Sequence, residues 1–395
     1  MKKRFKFFPY IWMGILTIEV ICAIPFLKEE LKNREVKVAM EKSRVVLYEG
    51  PKSLRDATAE DLKNSSEKGR EIALLHSTDT QVKVNGQECY VYETNVNHPR
   101  QWVSNYCPPM SRTPISYFDF EGMVEIQVTV PNMELSEVKI SPLSYGIEPM
   151  VDEETHTVTF CIETPDTYTL QFNNSPERAV HIFANAIETP EEIPDAEDPN
   201  VIYIGPGEWN IESIMLKKGQ TLYLAGGAVV HGIVNGNFES DITVCGRGIL
   251  DGSHLEGWQG RNASIPLKFD YCKNVKLKDI IVLNSNAWVC QGYNSSEGLI
   301  DGLKIISSRP NGDGISLQSC QNYVVQNCFV RSWDDSLVVK NYDKNIKSVI
   351  DIGAGTGAAS WAVSNVLDVE KITCLEREKA MRDIGKKLMH QKIDF

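Results

Sequence analysis

The stretch Pro310–Asn341, PNGDGISLQSCQNYVVQNCFVRSWDDSLVVKN, decides the fold. It sets Asp313 in an NGDG turn and places Asp334 and Asp335 in a WDD turn, 21 and 22 positions further on. The segments around it repeat at almost the same interval. NVKLKDIIVLNS from Asn274, GLIDGLKIISS from Gly298 and NYVVQNCFVRSW from Asn322 alternate apolar residues alike; with Leu277, Ile300 and Val325 equivalent, the steps are 23 and 25 residues. Short β-rich units at such a period form a solenoid. Their β-branched runs lack helical periodicity, so the expected solenoid is a right-handed parallel β-helix. Each coil climbs by one strand spacing, about 4.8 Å. Asp313 is therefore expected beside Asp334 and Asp335, where mutual repulsion raises at least one carboxyl pKa and suits that group to donate a proton at mild pH.

NGDG, then WDD one coil later, then LVVK resembles the family 28 glycoside hydrolases, the polygalacturonase family. That family's pattern is N-T-D-G, then G-D-D or Q-D-D, then an apolar run ending in Lys. The resemblance spans residues 201–347. By position it implies that Asp334 is the general acid and that Asp313 and Asp335 activate water, with Asn311 and Lys340 beside them in the substrate site. It also implies hydrolysis of pectic polysaccharide with inversion, which suits carboxyl groups about 6.5–9.5 Å apart and needs neither cofactor nor metal. Trp333 stands where the family has Gly or Gln. The plainer reading is that Asp, Asn and Gly make good turns by themselves, because an Asp side chain bonds its own backbone.

With 395 residues, 42% of them apolar, the chain can bury more than one core. A net charge of −12 argues against nucleic acid as a partner. An acidic sugar would then need a local basic patch, for which Arg309, Arg331 and Lys340 lie near the acids. The ten cysteines form no C-x-x-C pair and no zinc spacing, so buried free thiols are expected.

Residues 1–30 hold a basic start and an apolar run over 7–27, expected to be an uncleaved anchor or export signal. This implies a secreted or membrane-anchored extracellular protein; the alternative is a cytoplasmic one whose leader is not a signal. Residues 31–79 read as a charged connecting segment. Residues 80–187 carry about seven short alternating strands, the pattern of a β-sandwich. A sandwich before a β-helix resembles the layout of some polysaccharide hydrolases of the same clan. Residues 188–200, ETPEEIPDAEDPN, read as an acidic Pro-rich linker, and residues 201–347 as the β-helix.

The pattern then changes. SVIDIGAGTGAASWAVSNVLDVEKITCLEREKAMRDIGKKL, from Ser348, reads as a strand ending at Asp351, a turn with Gly353, Gly355 and Gly357, a helix, and a second strand ending near Glu376. It resembles the first motif of class I S-adenosylmethionine-dependent methyltransferases, of the type associated with the small ribosomal subunit. That implies a Rossmann-like fragment, 348–395, in which Glu376 would hold a ribose; S-adenosylmethionine is a cofactor only if the fragment functions. A methyltransferase sheet needs about seven strands, and 47 residues from Val349 hold two. Family 28 proteins carry a later G-H-G turn and an R-x-K. Here the only later histidine is His390, and Arg377-Glu378-Lys379 lies in the methyltransferase-like helix. The overall expectation is a mainly β chain, a sandwich followed by a truncated β-helix and a short α/β tail, acting as a polygalacturonase-type hydrolase. The alternatives are an inactive carbohydrate-binding relic, a methyltransferase fragment, and a calcium-dependent lyase on the same fold.

Overall fold

Short alternating strands in the middle of the chain stack as a right-handed parallel β-solenoid of about seven turns. The computed structural model describes residues 40, 42–56, 74–96, 111–255, 264–309, 311–340, 348–352, 354–355, 357–366, 369–388 and 393–395. The apolar run 7–27, Gly353 and His390 lie outside the described residues. Leu277 pairs with Ile300, and Ile300 with Val325, the equivalence that the sequence repeat gives.

Each coil presents three faces. Ile249–Asp251, Ile281–Leu283, Lys304–Ile306 and Phe329–Arg331 stack as the first face. The second is Leu267–Asp270, Cys290–Tyr293, Ile315–Gln318 and Leu337–Lys340. The third runs from Val201–Ile204 through Ser240–Gly246 and Lys273–Lys278 to Val324–Gln326. Alternation points Val244, Leu277, Ile300, Leu267, Cys290 and Ile315 into one interior cluster. Burying an aliphatic side chain contributes about 1.5–3 kcal/mol, so the stack is held by repetition. Strand Ala228–Asn237 serves both the first and second faces. It bends at Gly232, whose φ of 158° and close approach to the Ile211 carbonyl leave no room for a side chain. At the coil corners, Asn274, Asn294, Asn322 and Asn327 take left-handed backbone, which Asn tolerates best among residues with a Cβ.

Ahead of the solenoid, a seven-stranded and a five-stranded sheet share an apolar core built from Val84, Phe118, Ile126, Phe160, Leu170 and Ile182. Two pieces of the expected connecting segment 31–79 belong to the larger sheet: Arg44–Leu47 pairs with residues 118–121, and Leu75–His76 with 92–93. The reason is burial, since Val45 and Leu47 pack on that core. The other side of the larger sheet meets the first solenoid face, where Tyr92, Tyr117 and Phe183 cluster with Val229, Ile281 and Ile306. Polar groups secure the seam: Arg247 Nε donates to Asp119 at 3.0 Å, Thr94 to Asn284 at 2.8 Å, and the Gly227 amide to the Tyr117 hydroxyl at 2.8 Å. Residues 188–200 are tied down at two points, Glu188 to Tyr223 and Glu192 to Lys278.

The tail, 348–395, forms a parallel sheet of three strands, Ser348–Ile352, Lys371–Leu375 and Ile393–Asp394, with helix Ala358–Val366 between the first two. The third strand exceeds the two read from the sequence. It is only two residues long, too short for alternation to reveal, and Ile393 is buried with Ile372 and Cys374. The eight described cysteines are free thiols. Among the described residues no helix is long and apolar enough to cross a membrane.

Candidate active site

The acids lie on the turns that lead from the first face into the second. Asp313 precedes Ile315–Gln318, and Asp334 and Asp335 precede Leu337–Lys340. The two turns are laced side by side: the Gly314 amide donates to the Asp335 carbonyl at 2.8 Å and the Ile315 amide to the Ser336 carbonyl at 3.0 Å. A side chain at Gly314 would strike Val330 and come within 2.6 Å of the Ser336 carbonyl, so glycine is what lets the turns approach. Asn311 enters the first turn with left-handed backbone, φ 55°.

The three carboxylates differ in environment. Asp313 is 4% exposed, whereas Asp334 and Asp335 are exposed. Burial pushes the Asp313 carboxyl above the usual range; Lys340 opposes this, while the charges of Asp334 and Asp335 add to it. Lys340 Nζ lies 3.4 Å from Asp313 Oδ2 and 4.6 Å from the centre of the Trp288 ring, which fixes the ammonium between an acid and an aromatic face. The floor continues along the second face, where Gln318 Nε2 donates to Gln291 at 3.4 Å and Gln291 Nε2 to Asp270 at 2.8 Å.

Two candidates for a basic patch are engaged elsewhere. Arg309 is 2% exposed and donates to the carbonyls of Leu255, at 2.8 Å, and Ser253, at 3.3 Å. Arg331 ends the last first-face strand and reaches into the neighbouring sheet, donating to Thr113 at 3.2 Å, His181 at 3.0 Å and the Pro176 carbonyl at 2.8 Å. Near the acids in sequence, both guanidinium groups point at backbone and seam rather than at the groove. Among the described residues, Lys340 pairs with an acid of the site, Asp313.

Ser307 escaped the sequence reading. Its buried hydroxyl donates to the Gly312 carbonyl at 2.5 Å and accepts from the Trp333 amide at 3.2 Å, so a single side chain clamps both acid turns. Nothing in SSRPNGDG marks the first serine over the second. Trp288 was equally silent, because its partner comes from two coils later.

A second cluster lies on the first face. His231 donates from both ring nitrogens, Nδ1 to Asp251 at 2.8 Å and Nε2 to Glu208 at 2.7 Å, which requires the imidazolium. Burial alone would lower its pKa, but the two acceptors win and lift it to about 9. His254 stacks on it with ring centres 3.9 Å apart. Among the described residues no group of three His, Cys, Asp or Glu side chains is arranged to hold a metal ion.

In the tail, the Gly355 amide donates to Glu376 at 2.6 Å and Asp351 accepts from Ser360 at 2.6 Å. Gly357 opens helix Ala358–Val366, with a backbone bond from Trp361 to its carbonyl. Glu376, the acid expected to take ribose hydroxyls, thus accepts from an amide of the glycine turn.

Residues 213–376 match the family model of glycosyl hydrolases family 28. The match covers both acid turns and runs on through the first two tail strands. A polygalacturonase of Chamaecyparis obtusa is 28% identical over 134 residues, 30% of this chain and 26% of that protein. A probable polygalacturonase of Arabidopsis thaliana is 30% identical over 146 residues, 34% of this chain and 33% of that protein. The chain thus matches about a quarter to a third of the length of these curated relatives. Among solved structures, Dex49A from Penicillium minioluteum aligns with a TM-score of 0.46 at 12% identity, covering 77% of this chain and 79% of that one. A family 28 exopolygalacturonase of Yersinia enterocolitica aligns with a TM-score of 0.32 at 13% identity, covering 64% and 67%.

Proposed function

We propose that the protein is a polygalacturonase-type glycosidase that hydrolyses pectic polysaccharide with inversion. The observation that carries this reading is the pairing of the two acid turns, with buried Asp313 held against Lys340 and laced to the Asp334–Asp335 turn. Asp334, facing solvent, protonates the glycosidic oxygen. Asp313 and Asp335 take the proton of the attacking water, and a carboxylate whose pKa is raised is the stronger base for that step. Asn311 and Lys340 line the substrate site, and hydrolysis needs no cofactor. The domain reading that accompanies this is a β-sandwich at 80–187, a secreted or membrane-anchored chain, and a tail of methyltransferase-like ancestry that has no activity of its own.

The experiment is release of reducing ends from polygalacturonate by the full chain and by Asp334→Asn. The wild type is expected to generate reducing ends without ultraviolet absorbance, and the variant to lose them with an unchanged melting temperature. Retained hydrolysis would remove Asp334 from its role, and an absorbing unsaturated product would replace hydrolysis by elimination. A second reading is a carbohydrate-binding relic, which keeps the groove beside the acid turns without turnover. It predicts polygalacturonate binding that survives Asp334→Asn, with no reducing ends from either protein.

A further inference from the structure

The corner where the second solenoid face turns into the third is built by one residue per coil in left-handed backbone. Phe238, Tyr271, Asn294 and Ser319 fill it on successive coils, with φ of 55°, 54°, 46° and 51°. They follow Asn237, Asp270, Tyr293 and Gln318, which the ladder sets in one row. Asn suits such a position, and a bulky aromatic residue is a costly occupant. Two coils nevertheless carry aromatic rings there.

Phe238 is 71% exposed and Tyr271 44%. Their rings stack 2° from parallel with centres 4.5 Å apart, about the rise of one coil. Cys290 points into the solenoid, so alternation puts Gln291 and Tyr293 on its outer side, and Tyr293 meets the Tyr271 ring edge-on at 5.4 Å. The corner stack is thereby joined to the surface that runs through Gln291 and Gln318 to the acid turns. An exposed ring pair returns no more stability than left-handed backbone at two bulky residues takes away. Folding alone gives no reason for the stack, and strain held at a surface in this way points to binding.

We propose that Phe238, Tyr271 and Tyr293 form a distal subsite for a polysaccharide chain that runs along the second face from the acid turns. The inference rests on the pectic reading above and extends it to chain length. The flat C–H face of one sugar ring packs on the exposed Phe238 ring, which Tyr271 backs. Its hydroxyls meet the exposed Asn237 carboxamide and Asp270, whose carboxylate already takes a bond from Gln291 at 2.8 Å. Rings interleaved with carboxamides suit a sugar, apolar on its faces and polar at its rim, better than the dry apolar core of a protein partner. Phe238 stands three coils from Ser319, about 14 Å along the solenoid axis, so only a chain of several sugars reaches both ends.

The test is calorimetric titration of the full chain carrying Asp334→Asn, which keeps the probe uncut, with trigalacturonate and with octagalacturonate. The octamer should bind at least tenfold more tightly than the trimer. Phe238→Asn combined with Tyr271→Asn gives both corners the residue type that position 294 carries. It should reduce that surplus to within twofold, leave the trimer's affinity unchanged and hold or raise the melting temperature; Phe238→Tyr should retain the surplus. A surplus that survives the double substitution, or no surplus in either protein while the trimer binds, overturns the subsite and leaves the pectic reading standing. Equal loss for trimer and octamer makes the rings structural and overturns it as well. Neither probe bound overturns the subsite too, and reducing ends from the unsubstituted chain then decide whether the pectic reading falls with it.

Discussion

Asp313 and Asp334 sit on neighbouring coils in turns of similar composition, yet they occupy different surroundings. Asp313 is enclosed: its own carbonyl accepts from Val289 at 2.9 Å, Ser307 holds the next turn atom back, and Lys340 faces its carboxyl. Asp334 is open to solvent, and its side chain caps the Asp335 amide at 3.0 Å. Coil spacing brings two acids together, and the coil on either side decides how each is solvated. Asp313 has one coil before it and the Asp334 coil after it, and of the two acids it is the buried one. Separated environments are how two like carboxyl groups take different proton roles.

The largest effect that would break this comparison is at Asp313 itself. Asp313→Asn keeps the volume and removes the charge, so turnover on polygalacturonate should fall on the order of 10³-fold while the melting temperature holds or rises. Activity kept within threefold, measured as reducing ends, would make the buried acid a turn former and nothing more.

Ser307→Ala comes next. It strips the clamp from both turns at once, leaving the Trp333 amide without its acceptor. The cost should be about 1–3 kcal/mol of stability. Misplaced acids should lower kcat on the order of 10²-fold, with KM little changed. Rescue of the rate by Ser307→Thr would support positioning; equal loss in both would point to general destabilisation.

The Glu208–His231–Asp251 cluster tests whether the first face is as firm as the turns it feeds. His231 is raised from its ordinary value to about 9, so its contribution is fully present below pH 6.5 and is lost as pH rises through about 9. The unfolding free energy from urea titrations should fall over that window by an amount on the order of 1–3 kcal/mol, and His231→Gln should flatten the slope. An unchanged slope in the variant would assign the pH dependence to other groups.

Lys340→Met is the smallest and sharpest change. The ammonium opposes the upward shift of Asp313, so its removal should move the acid limb of the activity profile to higher pH. A limb that moves down, or not at all, would separate Lys340 from Asp313 in solution.

Much of this was legible in the chain. The 23- and 25-residue steps of Leu277, Ile300 and Val325 are the ladder register itself, because parallel stacking converts a sequence period directly into a neighbour. The same arithmetic sets Asp313 beside Asp335. Arg309 and Arg331 went astray since nearness in sequence says nothing of direction: each guanidinium turns toward acceptors supplied by distant segments, residues 253–255 and 176–181. The strands at Arg44–Leu47 and Leu75–His76 were hidden because their partners, not their own short patterns, make them β.

By itself, then, the sequence determined whatever depends on period and local chemistry: the coil, the acid turns and the interior row of aliphatic residues. Tertiary structure alone decided solvation and partnership. Which acid is buried, which cation faces it and that Ser307 bridges two turns are all set by side chains meeting across coils and across the seam. Such meetings leave no local mark, because burial and Coulomb interaction depend on distance in space, and the chain specifies that distance only once it is folded.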